Sequence, residues 1–233
     1  MKKIQATLLA LSFSGSALAG GLPDDPLLFM FKLDKAEYRN GDEGDIFAWD
    51  AQAWLGKDLD KLWLKSEGEI LEGDTEDGNL EVLYSRAVAP FWDLQAGWRH
   101  DFQPTPSRDW FAFGFQGLAP YLFEVDATAY IGESGRMAFG FSAEYEYMFT
   151  QRLILTPEVE MSFHSKDDEA VGVGSGLSDL TLGLRLRYEI RREFAPYIGV
   201  NWWNKYGKTA DYAEEEGGER SDVEFVVGVR AWF

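Results

Sequence analysis

Few side chains in this sequence suit a soft metal ion. After the initiator there are four methionines, Met30, Met137, Met148 and Met161, with two histidines, His100 and His164, and no cysteine. Thioether and imidazole select soft and borderline transition metals, and carboxylates extend the set to harder ions. Carboxylates are plentiful: 40 acidic residues stand against 22 basic ones, a formal charge of −18 at pH 7. So acidic a chain repels nucleic acid and attracts cations. Without cysteine it has no thiolate metal site, disulfide or Cys nucleophile. Which of these ligands can meet depends on the elements that carry them.

Those elements are strands. Twelve segments alternate apolar and polar residues with a period of two: 27–38, 46–55, 61–70, 80–89, 91–102, 109–118, 121–131, 136–149, 153–165, 177–190, 194–206 and 222–233. The last is the clearest, with Val223, Phe225, Val227, Val229, Ala231 and Phe233 on one face and Asp222, Glu224 and Arg230 on the other, whereas 80–89 is ambiguous in phase and Arg86 is read as inward. An unpaired strand of this kind invites aggregation, and closing a sheet into a barrel removes the edge. An even strand count and connections that alternate between tight turns and longer loops (71–79, 103–108, 166–176, 207–221) are the pattern of a transmembrane barrel, with short turns in the periplasm. Only 132–135 is short on the long-loop side. Aromatic residues make up 15% of the chain, with 9 Trp, 10 Tyr and 17 Phe, enough for girdles at two membrane interfaces. No run approaches a membrane-spanning helix, which needs roughly 18 apolar residues. A soluble sandwich or lipocalin-like barrel would need polar outer faces, and twelve strands with aromatic-rich faces exceed one small core. The expected fold is therefore all-β, a 12-stranded antiparallel transmembrane β-barrel over residues 27–233.

The first residues read as an export signal: Lys2 and Lys3, an apolar run from Ile4 to Leu11, and Ala17-Leu18-Ala19 as a cleavage site. That gives a signal peptide at 1–19 and a short linker at 20–26. The acidic run in 207–221 (Asp211, Glu214, Glu215, Glu216, Glu219) reads as a solvated loop.

Longer stretches carry a family resemblance: Trp49-Asp50-Ala51-Gln52-Ala53-Trp54, Lys61-Leu62-Trp63-Leu64-Lys65, Gly97-Trp98-Arg99-His100-Asp101, Ser107-Arg108-Asp109-Trp110, Gly114-Phe115-Gln116-Gly117-Leu118-Ala119-Pro120-Tyr121 and Arg191-Arg192-Glu193-Phe194-Ala195-Pro196-Tyr197. From about Asp25 to Phe233 the chain resembles the copper-resistance protein B (CopB/PcoB) family of bacterial outer-membrane proteins. The resemblance implies copper homeostasis, with copper ions bound or exported at the outer membrane as cargo rather than as a catalytic cofactor. Outer-membrane lipid and periplasmic copper-resistance proteins are the implied partners. Family members often carry a Met- and His-rich segment before the barrel, whereas 20–26 holds neither residue.

Strand phase sorts the candidate ligands. Met137 and Met161 fall on the lipid face. Met30 and Met148 fall on the lumen face near the periplasmic mouth, where an arriving metal would enter, although thioethers also serve as gap-fillers. His164 is inward near the outer end, and His100 is outward beside Trp98. A turn centred near Gln151 sets Glu144 opposite Glu158, with Glu124 beside Glu144. Like charges opposed across a ladder repel, so a cation, a shifted pKa or the inward arginines Arg99, Arg185 and Arg187 must compensate. Met30, Met148, His164, Glu144 and Glu158 are the candidate metal ligands, with Glu124, Arg99, Arg185 and Arg187 as the lumen network. An internal salt-bridge network and a cation path both fit this set. A general cation-preferring pore is the alternative to copper selectivity. An enzyme is not expected, because the only close Ser–His pair, Ser162 and His164, lies on the lumen phase, away from lipid.

Overall fold

The computed structural model describes residues 25–41, 44–71 and 73–233. The expected export signal, and the linker up to residue 24, lie outside them. The strands are β1 (Leu28–Gly41), β2 (Gly44–Gly56), β3 (Asp60–Leu71), β4 (Asp74–Ala89), β5 (Trp92–Gln103), β6 (Arg108–Ala119), β7 (Phe123–Gly132), β8 (Met137–Tyr145, resuming over Tyr147–Met148), β9 (Leu153–His164), β10 (Gly176–Tyr188), β11 (Phe194–Lys205) and β12 (Ser221–Trp232). One helix, α1 (Gly207–Glu215), lies between β11 and β12. No helix among the described residues is long and apolar enough to cross a membrane.

Each strand pairs antiparallel with its sequence neighbours, and β12 pairs with β1, so the twelve strands close into the expected barrel. The seam is sealed at the short-turn end, where Phe31 and Phe233 exchange backbone hydrogen bonds of 3.0 and 2.8 Å. The pleat then sorts side chains. Val223, Phe225 and Val227 on β12 and Phe111, Phe113 and Phe115 on β6 are exposed on the outside, while Asp222, Glu224 and Val226 are buried. In an outer-membrane barrel the outward row meets hydrocarbon and the inward row forms the lumen.

β1 carries a bulge. Leu33 faces Ala51 on β2, but the next pair is Lys35 with Asp50, and the β12 ladder shifts between Leu33 and Ala36. Asp34 is the extra residue, so Asp34 and Lys35 both reach the lumen. The parity then changes, with Phe29 exposed on the outside before the bulge and Tyr38 after it.

Three expectations fail. The 71–79 segment is mostly ladder, not loop: β3 and β4 stay paired to Leu71 and Asp74. Arg86, expected inward, is exposed and pairs at 3.6 Å with Asp60. On β4 the buried row is Asn79, Glu81, Leu83 and Ser85, so Arg86 falls on the opposite, outward phase near the short-turn rim. The 207–221 segment is not simply a solvated loop. Within α1, Thr209 and Ala210 are buried, and the Gly174 N–H donates to Thr209 Oγ1 at 2.9 Å. Gly174 permits this approach, since a Cβ there would lie 2.6 Å from the backbone nitrogen of Thr209.

Candidate functional site

The lumen holds a cavity of about 1020 Å³. It reaches from Lys32 and Arg230 toward the short-turn end to Lys166 and Thr209 under the outer loops, and fifteen carboxylate side chains line it against twelve cationic ones. Burying so many charges is costly unless each is paired and hydrogen-bonded. Pairing across the lumen does this.

Glu37 is the centre of one network and is wholly buried. It accepts hydrogen bonds from Arg39 Nε at 2.7 Å, from Arg185 Nε at 3.0 Å and Nη2 at 2.9 Å, and from the Tyr197 hydroxyl at 2.8 Å. Arg185 turns its remaining nitrogen, Nη1, to Glu158 at 2.6 Å. Its guanidinium lies over Gly183, where a Cβ would meet Nη1 at 2.3 Å. Arg39 reaches Glu69 at 2.5 Å and lies 3.8 Å from Glu224. Lys35, turned inward by the bulge, crosses from β1 to β9 and places its ammonium 2.8 Å from Glu158 and 2.7 Å from Glu160.

Glu144 stands opposite both Glu158 and Glu124, a row of three carboxylates over β7, β8 and β9. Arg230 lies 3.5 Å from Glu144, 3.2 Å from Glu146 and 3.2 Å from Asp34, and Arg187 is 2.5 Å from Glu146. The repulsion along the row is thus answered mainly by cations from β1, β10 and β12. On the other wall Arg99 pairs with Asp101 at 2.6 Å and with Glu81 at 3.4 Å, and its guanidinium stacks 4.9 Å over the Tyr130 ring. Lys65 joins β3 to Asp126 on β7 at 3.0 Å.

The soft ligands do not converge. Met30 packs against an apolar cluster of Trp63, Leu83 and Ala112 with Trp54 and Tyr130. Met148 is 62% exposed near the short-turn rim, opposite the buried Ile154, and neither methionine lines the cavity. His164 does line it, with Nδ1 3.1 Å from Ser178 Oγ. His100 is on the outside, stacked on Trp98 and 2.9 Å from Asp109. Among the described residues no three His, Asp or Glu side chains form a ready metal cage. Sequence reasoning missed Lys35, Glu37 and Arg39 as lumen residues, and it set Arg230 on the inward face of the last strand without a part in the network. The signal for the first three was present as Ala36 and Tyr38, apolar positions of the opposite parity to Phe29, Phe31 and Leu33.

The outer end is covered by residues 165–175 and α1. Asp168 receives Arg108 at 2.9 and 3.0 Å and Arg136 at 3.0 Å, and Asp167 pairs with Lys208 at 2.5 Å. The Arg108 hydrogen bonds hold the Asp168 carboxyl below the usual range, against the opposing effect of burial.

Among solved structures the chain is similar to the NanC porin, with a TM-score of 0.55 and 12% identity over 88% of this chain and 99% of that one. It also resembles outer membrane phospholipase A from Escherichia coli, with a TM-score of 0.51 and 11% identity over 87% and 92% of the two chains. At such identities the likeness is one of fold, an outer-membrane barrel. Two relatives are much nearer in sequence. Copper resistance protein B of Escherichia coli is 47% identical over 219 residues, covering 94% of this chain and 74% of the relative. The copper resistance protein B homolog of Pseudomonas syringae pv. tomato is 45% identical over 210 residues, 90% of this chain and 71% of the relative. The family described as copper resistance protein B precursor (CopB) matches residues 27–233. With an acidic, cross-braced lumen inside an outer-membrane barrel and these relatives, the chain belongs to the copper resistance protein B family.

Proposed function

We propose that this outer-membrane copper-resistance protein handles copper ions as cargo in its lumen, binding them or passing them across the membrane, and carries out no catalysis. The observation that supports this most is the cavity with its excess of carboxylates, which concentrates cations at a low-dielectric wall. His164 in the cavity lining, with Met148 at the short-turn rim and Met30 behind the cavity wall, would supply the soft contacts that favour copper over harder ions. Glu144 and Glu158 supply oxygen ligands between them, while Glu124, Arg99, Arg185 and Arg187 set the local charge. Periplasmic copper-resistance proteins would meet the short-turn end, and residues 1–19 would direct export.

One observation favours a second reading, a general cation-preferring pore: the soft ligands stand apart, and no ready cage exists among the described residues. Metal content and stoichiometry of the purified, refolded barrel, with copper flux into vesicles, separate the two. Saturable, copper-selective uptake is expected, and unselective conductance would overturn the copper-specific reading. The double variant Met30→Ala, Met148→Ala should lower copper affinity; unchanged binding removes both residues from the site.

A further inference from the structure

We infer that Glu158 and Glu160 form a cation station in the lumen, that the Lys35 ammonium occupies it as a tethered counter-ion, and that a passing cation must take the ammonium's place. The inference rests on the reading of the lumen as an ion path, not on the identity of the ion.

Lys35 spans the lumen to reach this position. It leaves β1 at the bulge and ends 2.8 Å from Glu158 Oε1 and 2.7 Å from Glu160 Oε1 on β9. An ammonium held between carboxylate oxygens stands where a bare cation of similar size would sit. A second observation, beside the station in the same cavity, points to a ligand. Thr156, two residues before Glu158 on the same face of β9, is only 5% exposed and lines the same cavity, yet its Oγ1 has no hydrogen-bond partner. Asn201 Oδ1 is likewise unpartnered, in a side chain 1% exposed that lines this cavity. Buried oxygens are normally satisfied, and leaving one bare is unfavourable. A cation at the station gives the Thr156 oxygen something to bind.

The surroundings supply onward steps. Glu158 is opposite Glu144, and Glu144 is opposite Glu124. Neighbours of this kind have Cβ atoms about 5 Å apart. The Glu124 and Asp50 carboxylates line the cavity with no side-chain hydrogen bond, and no ion pair within 4.0 Å, to any described residue, and Asp50 stands opposite Lys35 in the β1–β2 ladder. A cation that displaces the ammonium therefore meets further carboxylates, and the displaced ammonium meets Asp50. Arg185, which also holds Glu158, is fixed by Glu37 on the far side, so Lys35 is the cation able to move.

The test uses the refolded full-length mature chain in planar lipid bilayers under a potassium chloride gradient, with no copper present. Lys35→Met should raise potassium conductance and the cation-over-anion permeability ratio by about tenfold, the lower end of what charge focusing gives to local ion concentration. Adding Glu158→Gln and Glu160→Gln to that variant should abolish the gain, and Lys35→Arg should behave as wild type. Unchanged conductance in Lys35→Met, or a gain that survives loss of both carboxylates, overturns the inference. If Lys35→Met does not refold, Glu158→Gln with Glu160→Gln in the Lys35 background decides. It should shift the reversal potential toward anion preference, and an unshifted potential refutes the station. Because potassium is the probe, absence of copper binding would sink the copper reading without touching this one.

Discussion

Glu37→Gln is the sharpest perturbation of the lumen. The substitution keeps the side-chain shape but removes the negative charge between two buried guanidiniums, and an amide cannot accept all four of the hydrogen bonds that Glu37 receives. Removing one partner of a buried pair costs about 3–5 kcal/mol, because the other charge stays buried. Here each arginine keeps a second carboxylate, Arg39 with Glu69 at 2.5 Å and Arg185 with Glu158 at 2.6 Å. The expected loss is therefore at the lower end, about 3 kcal/mol, or roughly a hundredfold in the folding equilibrium. Urea titration of the barrel in lipid vesicles, followed by fluorescence of its 9 tryptophans, measures it. The double variant Glu37→Gln, Arg185→Met should recover a substantial part, since replacing both members of a buried pair is often close to neutral. A loss below about 1 kcal/mol, the range of an exposed pair, would refute the reasoning. So would a double variant whose losses simply add.

Two further outcomes follow from the same geometry. A spin label at Val227 should report lipid and one at Glu224 water, because Val227 is exposed on the outside and Glu224 is buried toward the lumen; water at Val227 would contradict the assigned faces. The contact of Asp168 with Arg108 and Arg136 should weaken in acid. Its carboxyl is held below the ordinary aspartate value, so its contribution is complete above about pH 4 and fades as pH falls through the lowered value. A label at Val171 should therefore gain mobility on acidification, and Asp168→Asn should be mobile at neutral pH. A label equally immobile in all three conditions would show that the ion pairs do not hold the loop.

Much of the barrel could be read before any coordinates. The period of two fixed which residues face lipid on β5, β6, β9, β10 and β12, and a turn centred near Gln151 was enough to set Glu144 against Glu158. Arg185 was legible as an inward cation on the next strand, and in the structure it holds Glu158. What escaped the reading is physical rather than accidental. A bulge breaks the period locally, so Lys35, Glu37 and Arg39 carry no continuous pattern with Met30 and Lys32. Contacts across the lumen join strands far apart in sequence, and no local spacing encodes that Lys35 meets Glu160. Arg86 misled because 80–89 alternates too weakly to set its phase, and the inward row there is Asn79, Glu81, Leu83 and Ser85. The helix over 207–215 was hidden by its acidic composition, and only the docking of Thr209 and Ala210 reveals that it has an inner side.

The extra residue in the first strand also says how such a protein can be retuned. In an uninterrupted strand, every added inward charge brings an added outward position that must suit hydrocarbon. Asp34 and Lys35 escape that coupling: one inserted residue puts two neighbouring charges inside and leaves the oily exterior intact. A one-residue insertion or deletion at this point thus changes the ionic character of the interior while the membrane sees the same surface. Variation in length there should track what the lumen admits more closely than any substitution on the outer wall.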